Sequence, residues 1–263
     1  MELFLEGFPI FLLIFCRITA FFVVAPVFST RTVPTNFKIG LSFMVALLVF
    51  LSYGLKQTIV PDATYVLAII REILAGLLLG YTAYLFFTII QTAGAFIDLQ
   101  MGFGMANVID PMTGVSTPLM GNFKFMIATL VFLSMNGHHY MLTALIKSYE
   151  WIPISNELFV RIHNGSISTF LVRTFADTFM LALQLSAPLV VAMFLVDAGL
   201  GFLAKTAPQY NVFVIGVPLK ILVGFFLLLV MMPGLVSLFE NIFSLMFDAV
   251  EELFGIVQTQ TVQ

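Results

Sequence analysis

The segment YVLAIIREILAGLLLGYTAYLFFTIIQTAGAFI, from Tyr65 to Ile97, has only two charged residues, Arg71 and Glu72, and is otherwise mostly apolar. As an α-helix rising 1.5 Å per residue it would extend about 50 Å. A bilayer's hydrocarbon core is about 30 Å thick and is spanned by about 20 residues. The segment therefore predicts a transmembrane helix that tilts strongly, breaks, or extends beyond the bilayer.

The composition of the whole chain indicates an integral membrane protein. Of its 263 residues, 60% are hydrophobic and 10% are charged, and the mean hydropathy is +1.08. Soluble domains are about 25% charged, and so few charges could not cover the surface of a soluble domain of this size. The net charge of −3 and the absence of a basic run argue against nucleic acid as a partner.

Six apolar segments predict an all-α, polytopic membrane fold with several helices broken by proline or glycine. They are Phe8–Phe28, Ile39–Leu55, Tyr65–Ile97, Phe123–Ile146, Ile167–Val196 and Val212–Phe239. Pro188, Pro218 and Pro233 lie inside them and are expected to kink or divide the helices. We treat residues 1–263 as one membrane domain, with a helical body over 1–248 and a tail over 249–263. Lysine and arginine are shared equally between the two alternating sets of loops, so the positive-inside rule gives no orientation.

One joint between apolar segments differs from an ordinary loop: DLQMGFGMANVIDPMTGVSTPLMGN, from Asp98 to Asn122. It has no lysine or arginine, but it repeats glycine, proline and methionine. Glycine lets a backbone rearrange, and unbranched thioethers fill irregular gaps and repack easily. The methionines are consistent with core filling or, as a sharper alternative, with a compliant seal that closes a pore.

Several charged residues lie inside apolar segments or at their margins: Arg17, Arg71, Glu72, Asp98, Lys124, Asp177, Asp197 and Lys220. At mid-helix each would cost roughly 2.5–3.5 kcal/mol in lipid, so these side chains should face protein, water or one another. An ion or proton path is one interpretation. The favoured one is pairing that holds helices or subunits together, for example Arg71 or Lys220 against an aspartate.

The remaining motifs indicate helix packing and give no sign of a catalytic, metal-binding or nucleotide-binding site. Gly76 and Gly80 form GLLLG, a spacing that lets two helix backbones approach closely. The adjacent His138 and His139 point in different directions on a helix, and there is no HExxH, GxSxG, Walker or dinucleotide motif. We therefore expect no catalytic residue, no metal site, no cofactor and no ATP bound by this chain.

Six stretches together resemble the FliR family of flagellar biosynthetic proteins, which includes the SctT components of virulence type III secretion. They are RITAFFVVAPVFSTRTVP (Arg17–Pro34), REILAGLLLG (Arg71–Gly80), AGAFIDLQMGFGMANVIDPMTG (Ala93–Gly114), NGHHYMLTALIKSYEWIP (Asn136–Pro153), ALQLSAPLVVA (Ala182–Ala192) and APQYNVFVIGVPLKILVG (Ala207–Gly224). The resemblance runs in order along nearly the whole chain. Local departures are Ala95-Phe96 where many relatives have Gly-Glu, Asp197 where asparagine is common, and Tyr210 where methionine is common.

The resemblance implies a place and a role. Such proteins join FliP and FliQ, with FlhB attached and FlhA in the same apparatus, in an export gate at the centre of the flagellar basal body. The gate passes unfolded flagellar proteins across the bacterial cytoplasmic membrane. The family fold is a FliP-like part fused to a FliQ-like hairpin, and much of the assembly is lifted out of the bilayer plane. Arg71, Gly76, Gly80, Asp197 and Lys220 are then expected to serve helix packing and assembly.

The resemblance also implies a loop that plugs the closed channel, corresponding to roughly Met105–Pro118. The residues expected to form this plug and its turn are Phe103, Met105, Val108, Ile109, Asp110, Pro111, Met112 and Gly114. The residue before a proline is biased away from helix, so Asp110-Pro111 should fix a turn.

Two other classes of function remain open on the sequence. A secondary transporter for a small solute would suit broken helices and intramembrane charges, but no internal repeat supports it. An intramembrane enzyme lacks a nucleophile or metal constellation.

Overall fold

The computed structural model describes residues 2–30, 32–56, 64–103, 118–154 and 158–258. This part of the chain forms α-helices and turns and contains no strand, which confirms the all-α prediction. The helices are α1 (Glu2–Val24), α2 (Thr35–Ser52), α3 (Thr64–Met101), α4 (Leu119–Ser134), α5 (Gly137–Trp151), α6 (Leu158–His163), α7 (Ser166–Thr206) and α8 (Val212–Gln258). A 3-10 turn, Gly54–Lys56, follows α2.

The number of candidate spans agrees with the prediction of about six. In the described ranges, α1, α2, α3, α7 and α8 are each long and apolar enough to cross a membrane, and α4 with α5 would make a sixth. The overlong third segment does not break, because α3 is one helix of 38 residues with a length of about 57 Å. Of the alternatives predicted for it, strong tilting and extension beyond the bilayer remain.

The predicted fourth apolar segment, Phe123–Ile146, forms two helices. Helix α4 ends at Ser134 and α5 begins at Gly137, with Asn136 between them. Asn136 has a φ of 56°, a left-handed conformation that asparagine tolerates because its short side chain can bond locally. This conformation stops the first helix, so the apolar run is shared between two elements.

The internal prolines do not divide their helices. Helix α7 continues on both sides of Pro188, and α8 continues through Pro218 and Pro233. Helix α8 also runs beyond Phe239 to Gln258, so it includes the first part of the segment that we predicted to be a tail.

The chain folds into two compact units. The first contains Met1–Leu85, Asn136–Phe175 and Ser244–Gln263. Within it, GLLLG of α3 packs on α1: a Cβ added to Gly76 would lie 2.1 Å from the carbonyl oxygen of Arg17, and one added to Gly80 would lie 3.1 Å from that of Phe21. Only glycine allows the two backbones to come this close at Gly76.

The second unit contains Phe86–Met135 and Ala176–Phe243. Its core includes three rings, Phe87, Phe132 and Phe243, whose centroids are 5.1–5.2 Å apart in edge-to-face or tilted pairs. Such geometries are the favoured ones for aromatic pairs. A glycine contact again brings two helices together, because a Cβ on Gly94 of α3 would lie 2.1 Å from the Cα of Gly121 of α4.

Candidate functional site

The predicted plug falls mostly outside the described residues. Of its members, Phe103 is described, whereas Met105, Val108, Ile109, Asp110, Pro111, Met112 and Gly114 lie in the range 104–117. The structure does describe the two ends of this segment, where α3 finishes and α4 starts. We call residues 94–103 and 118–124 the feet of the segment.

Asp98 ties the two feet together. Each of its carboxylate oxygens accepts a hydrogen bond from the backbone N–H of Met120 at 3.1 Å, and both residues are buried. The N–H groups of Leu119 and Gly121 also face the carboxylate. An anion at the first turn of a helix satisfies N–H groups that have no partner within the helix and is favoured by the helix dipole. Asp98 thus caps α4 from the last turn of α3.

Two further contacts reinforce this junction. Lys124, one turn further along α4, is fully buried, and its ammonium attracts the Asp98 carboxylate. The contact between Gly94 and Gly121 brings the helices close enough for Asp98 to reach its partners. The sequence showed Asp98 and Lys124 as separate charges, while the structure makes them one buried polar junction.

Phe103 lies on the α3 foot and packs into the core of the second unit. Gly102, with a φ of 88°, ends α3 in the left-handed conformation usual after a helix. The N–H of Phe103 then donates to the carbonyl of Asp98 at 3.0 Å. Its ring contacts a cluster of buried side chains, which are Ile97, Met101, Met120, Leu189, Met193 and Leu228. Three of these six are methionines, consistent with the core-filling interpretation.

The residues predicted for packing and assembly have partners within the chain. Lys220 of α8 forms an ion pair with Asp197 of α7 at 2.5 Å, and their side chains are 18% and 42% exposed. Arg71 donates a hydrogen bond to the backbone carbonyl of Ile154. Gly76 and Gly80 contact α1, as described above. Whether any of these residues also contacts another subunit remains a prediction.

Among the described residues, the most extensive buried polar network surrounds Arg17. Its guanidinium bonds both carboxylate oxygens of Glu72, at 2.7 and 2.9 Å, and both side chains are fully buried. It also donates to Ser148, at 3.0 Å to the hydroxyl and 3.1 Å to the carbonyl, and to the carbonyl of Ile152 at 2.8 Å. The ring of Tyr149 lies 4.1 Å from the guanidinium carbon. One cation therefore holds α1, α3 and the end of α5 together.

Sequence reasoning noted Arg17 and Glu72 as charges in apolar segments but did not pair them. Ser148, Tyr149 and Ile152 were not singled out at all. One feature of the sequence could have indicated this pair. Glu72 lies four residues before Gly76, and residues four apart share a helix face, so the helix that packs against Gly76 also lies beside Glu72.

Comparisons with known proteins bear on the function of this arrangement. A family model described as "Bacterial export proteins, family 1" matches residues 8–246. The chain is 42% identical over 253 residues to the flagellar biosynthetic protein FliR of Bacillus subtilis (strain 168), covering 96% of this chain and 97% of that protein.

More distant relatives match over similar lengths. The flagellar biosynthetic protein FliR of Escherichia coli (strain K12) is 32% identical over 241 residues, or 90% of this chain and 91% of that protein. Yop proteins translocation protein T of Yersinia pestis is 29% identical over 244 residues, or 92% and 93%. Since the family model and these relatives cover nearly the whole chain, it belongs to the FliR family within family 1 of the bacterial export proteins.

Proposed function

We propose that this chain is a channel-forming core subunit of the flagellar type III export gate. With FliP and FliQ, and with FlhB attached, it would pass unfolded flagellar proteins across the cytoplasmic membrane at the centre of the basal body, beside FlhA. Family membership makes the chain a multi-pass membrane component of the flagellar export apparatus. We further propose that the chain has no enzymatic activity of its own. Energy would come from a soluble ATPase and the proton-motive force.

The observation that carries the proposal is the extent of exposed apolar surface on the last two long helices. Within the second unit, large exposed apolar side chains run from Phe179 to Leu203 on α7 and from Phe213 to Leu238 on α8. These intervals correspond to about 36 and 38 Å along the helices. In the most apolar 18-residue window of α8, 17% of residues are buried, against 61% for α3.

A bilayer covers surface of this length only when the helix tilts strongly. A straight helix with 38 Å of apolar surface would have to tilt by about 38° to fit a 30 Å core, whereas transmembrane helices tilt by about 20° on average. We expect other protein subunits to cover part of the exposed apolar surface of α7 and α8, because large exposed apolar patches mark interaction sites. This supports a subunit of a larger assembly over a chain that works alone.

Purification from membranes distinguishes the gate subunit from a small-solute transporter. The tagged chain, extracted in mild detergent, is expected to co-purify with FliP and FliQ in a fixed ratio, which size-exclusion chromatography with light scattering would measure. A transporter would instead be stable and monodisperse alone or as a homo-oligomer. Recovery of such a stable form, without FliP or FliQ, would contradict the proposal.

The segment between the feet is proposed to act as the plug of the closed channel. The apolar side chains Met105, Val108, Ile109 and Met112 would exclude ions by forming a constriction that water leaves. The capping of α4 by Asp98 supports this role, because it holds the end of α3 against the start of α4, and the segment joins these two points.

Deleting Val108–Gly114 is expected to raise the ion conductance of the assembled gate in planar bilayers, because the apolar constriction is lost. The control replaces residues 57–63, a joint of equal length, with glycine and serine, and should leave conductance unchanged. If the deletion variant assembles normally and conducts no more than the unaltered gate, the plug role is ruled out.

A further inference from the structure

A cavity of about 270 Å³ opens in the first unit between α5 and the end of α8. None of the residues around it takes part in the feet of the plug segment or in the Arg17 network. They include Tyr140, Thr143, Lys147, Trp151, Glu251 and Phe254. Pockets for small molecules usually measure about 300–1,000 Å³, so this cavity suits one long side chain better than a whole cofactor.

One wall of the cavity is aromatic. Phe254 is buried, and the ring of Trp151 packs on it with centroids 5.4 Å apart. Trp151 is itself half-buried, and its accessible part lines the cavity. An accessible indole attracts a cation that comes within about 6 Å of the ring centre. The planar guanidinium of arginine can also stack on the ring.

Glu251 places an oriented anion in the same cavity. Its side chain is exposed, and one carboxylate oxygen accepts a hydrogen bond from the hydroxyl of Tyr140 at 2.7 Å. Within the described part of the chain, no lysine or arginine pairs with this carboxylate. A carboxylate has about four lone-pair sites. Glu251 can therefore still accept two parallel N–H bonds from a guanidinium.

The charge around the cavity favours a cation over an anion. The exposed charged residues of α5 and of the last three turns of α8 are Lys147, Glu150, Asp248, Glu251 and Glu252. Arg173 of α7 lies 3.9 Å from Glu252 and offsets it. Arg161 of α6 instead donates to the carbonyl of Ile256, outside the cavity lining. The other three carboxylates outnumber the ammonium of Lys147, and a surface of net negative charge attracts cations.

We propose that the cavity receives an arginine side chain from a partner protein of the export apparatus. The guanidinium forms two hydrogen bonds with the Glu251 carboxylate and stacks on Trp151. Lysine fits less well, because its ammonium is a compact point charge that has neither a plane to stack nor paired donors. Such a contact does not require that the chain form a channel, so it can be tested on the chain by itself.

The fluorescence of Trp151 makes binding in the cavity directly measurable, because the chain has one tryptophan. The purified full-length chain, in mild detergent, is titrated with capped Gly-X-Gly tripeptides in which X is arginine, lysine, citrulline or glutamate. We expect a saturable change in emission with the arginine peptide and weaker binding of the lysine peptide. The neutral citrulline peptide and the anionic glutamate peptide should give no saturable change.

Matched variants test which charge carries the binding. Glu251→Gln should weaken binding of the arginine peptide about tenfold, the effect of losing one charge-assisted hydrogen bond. Glu252→Gln, one residue away but outside the cavity lining, should leave it unchanged. Lys147→Met removes a cation from the lining and should not weaken binding. All three side chains are exposed, so the variants should keep the helical circular-dichroism spectrum of the unaltered chain.

Free arginine, which carries its own ammonium and carboxylate, is titrated alongside the peptides. Tighter binding of free arginine than of the capped arginine peptide would indicate a small metabolite and overturn the assignment to a protein partner. Weaker binding in Lys147→Met would indicate an anionic ligand and overturn the assignment to a cation. The absence of a saturable change with the arginine peptide, or a Glu251→Gln variant that binds it like Glu252→Gln, would overturn the proposal altogether.

Discussion

Replacing Glu72 with glutamine is expected to lower the free energy of unfolding by about 3–5 kcal/mol, because it removes the counter-charge of a fully buried Arg17. The amide keeps the volume of the carboxylate but cannot balance the guanidinium. The loss of stability would appear as a lower unfolding midpoint in detergent micelles titrated with SDS and followed by circular dichroism.

A double variant distinguishes the charge from the packing. Arg17→Met with Glu72→Leu removes both charges, and it should recover much of the lost stability because no unpaired charge stays buried. Arg173→Met serves as the control. Its ion pair with Glu252 spans 3.9 Å between side chains that are 73% and 54% exposed, so its loss should change little. If Glu72→Gln unfolds at the same SDS concentration as the unaltered chain, the network does not hold the three helices together.

Replacing Gly94 with alanine is expected to destabilise the second unit and to loosen the feet of the plug segment. The added Cβ would lie 2.1 Å from the Cα of Gly121, so α3 and α4 must move apart. Overpacking of this kind costs about 1–3 kcal/mol. The separation would also lengthen the hydrogen bonds from Met120 to Asp98, so we expect increased ion conductance through the assembled gate.

The expected loss of stability is opposite in direction to the effect of helix propensity. Alanine is better than glycine in a helix interior by about 1 kcal/mol, so helix propensity alone predicts stabilisation. Gly199→Ala supplies the control, because an added Cβ at this position in α7 meets nothing within 4 Å. Gly199→Ala should be neutral or stabilising, with unchanged conductance. A Gly94→Ala variant as stable as Gly199→Ala would show that the close contact does not matter.

Helix content was predictable, whereas the division of the fourth apolar segment was missed. The all-α fold followed from long apolar segments with few charges, since only helices or closed barrels satisfy the backbone within lipid. The division of the fourth segment was missed because apolar residues continue through it. Asn136-Gly137 was the available signal, because an Asn-Gly pair often marks a turn.

For the site, the sequence indicated some features and missed others. The sequence identified the charges that needed partners, because each is costly in an apolar segment. It could not identify the partners, since Arg17 and Glu72 are 55 positions apart and no local rule connects them. One inference was within reach: Glu72 and Gly76 share a face of α3, so the helix that packs against Gly76 is also the one that meets Glu72.

The long apolar surfaces of α7 and α8 also constrain how a cell makes this subunit. An untilted copy inserted before its partners are present would leave about 6–8 Å of each helix's apolar surface outside the hydrocarbon layer. Such a copy is poorly soluble in water and poorly fitted to lipid, which makes it a target for aggregation and for proteolytic quality control. Supply of the chain therefore has to be matched in time and amount to the proteins that cover it, and newly made copies have to be captured as they enter the membrane.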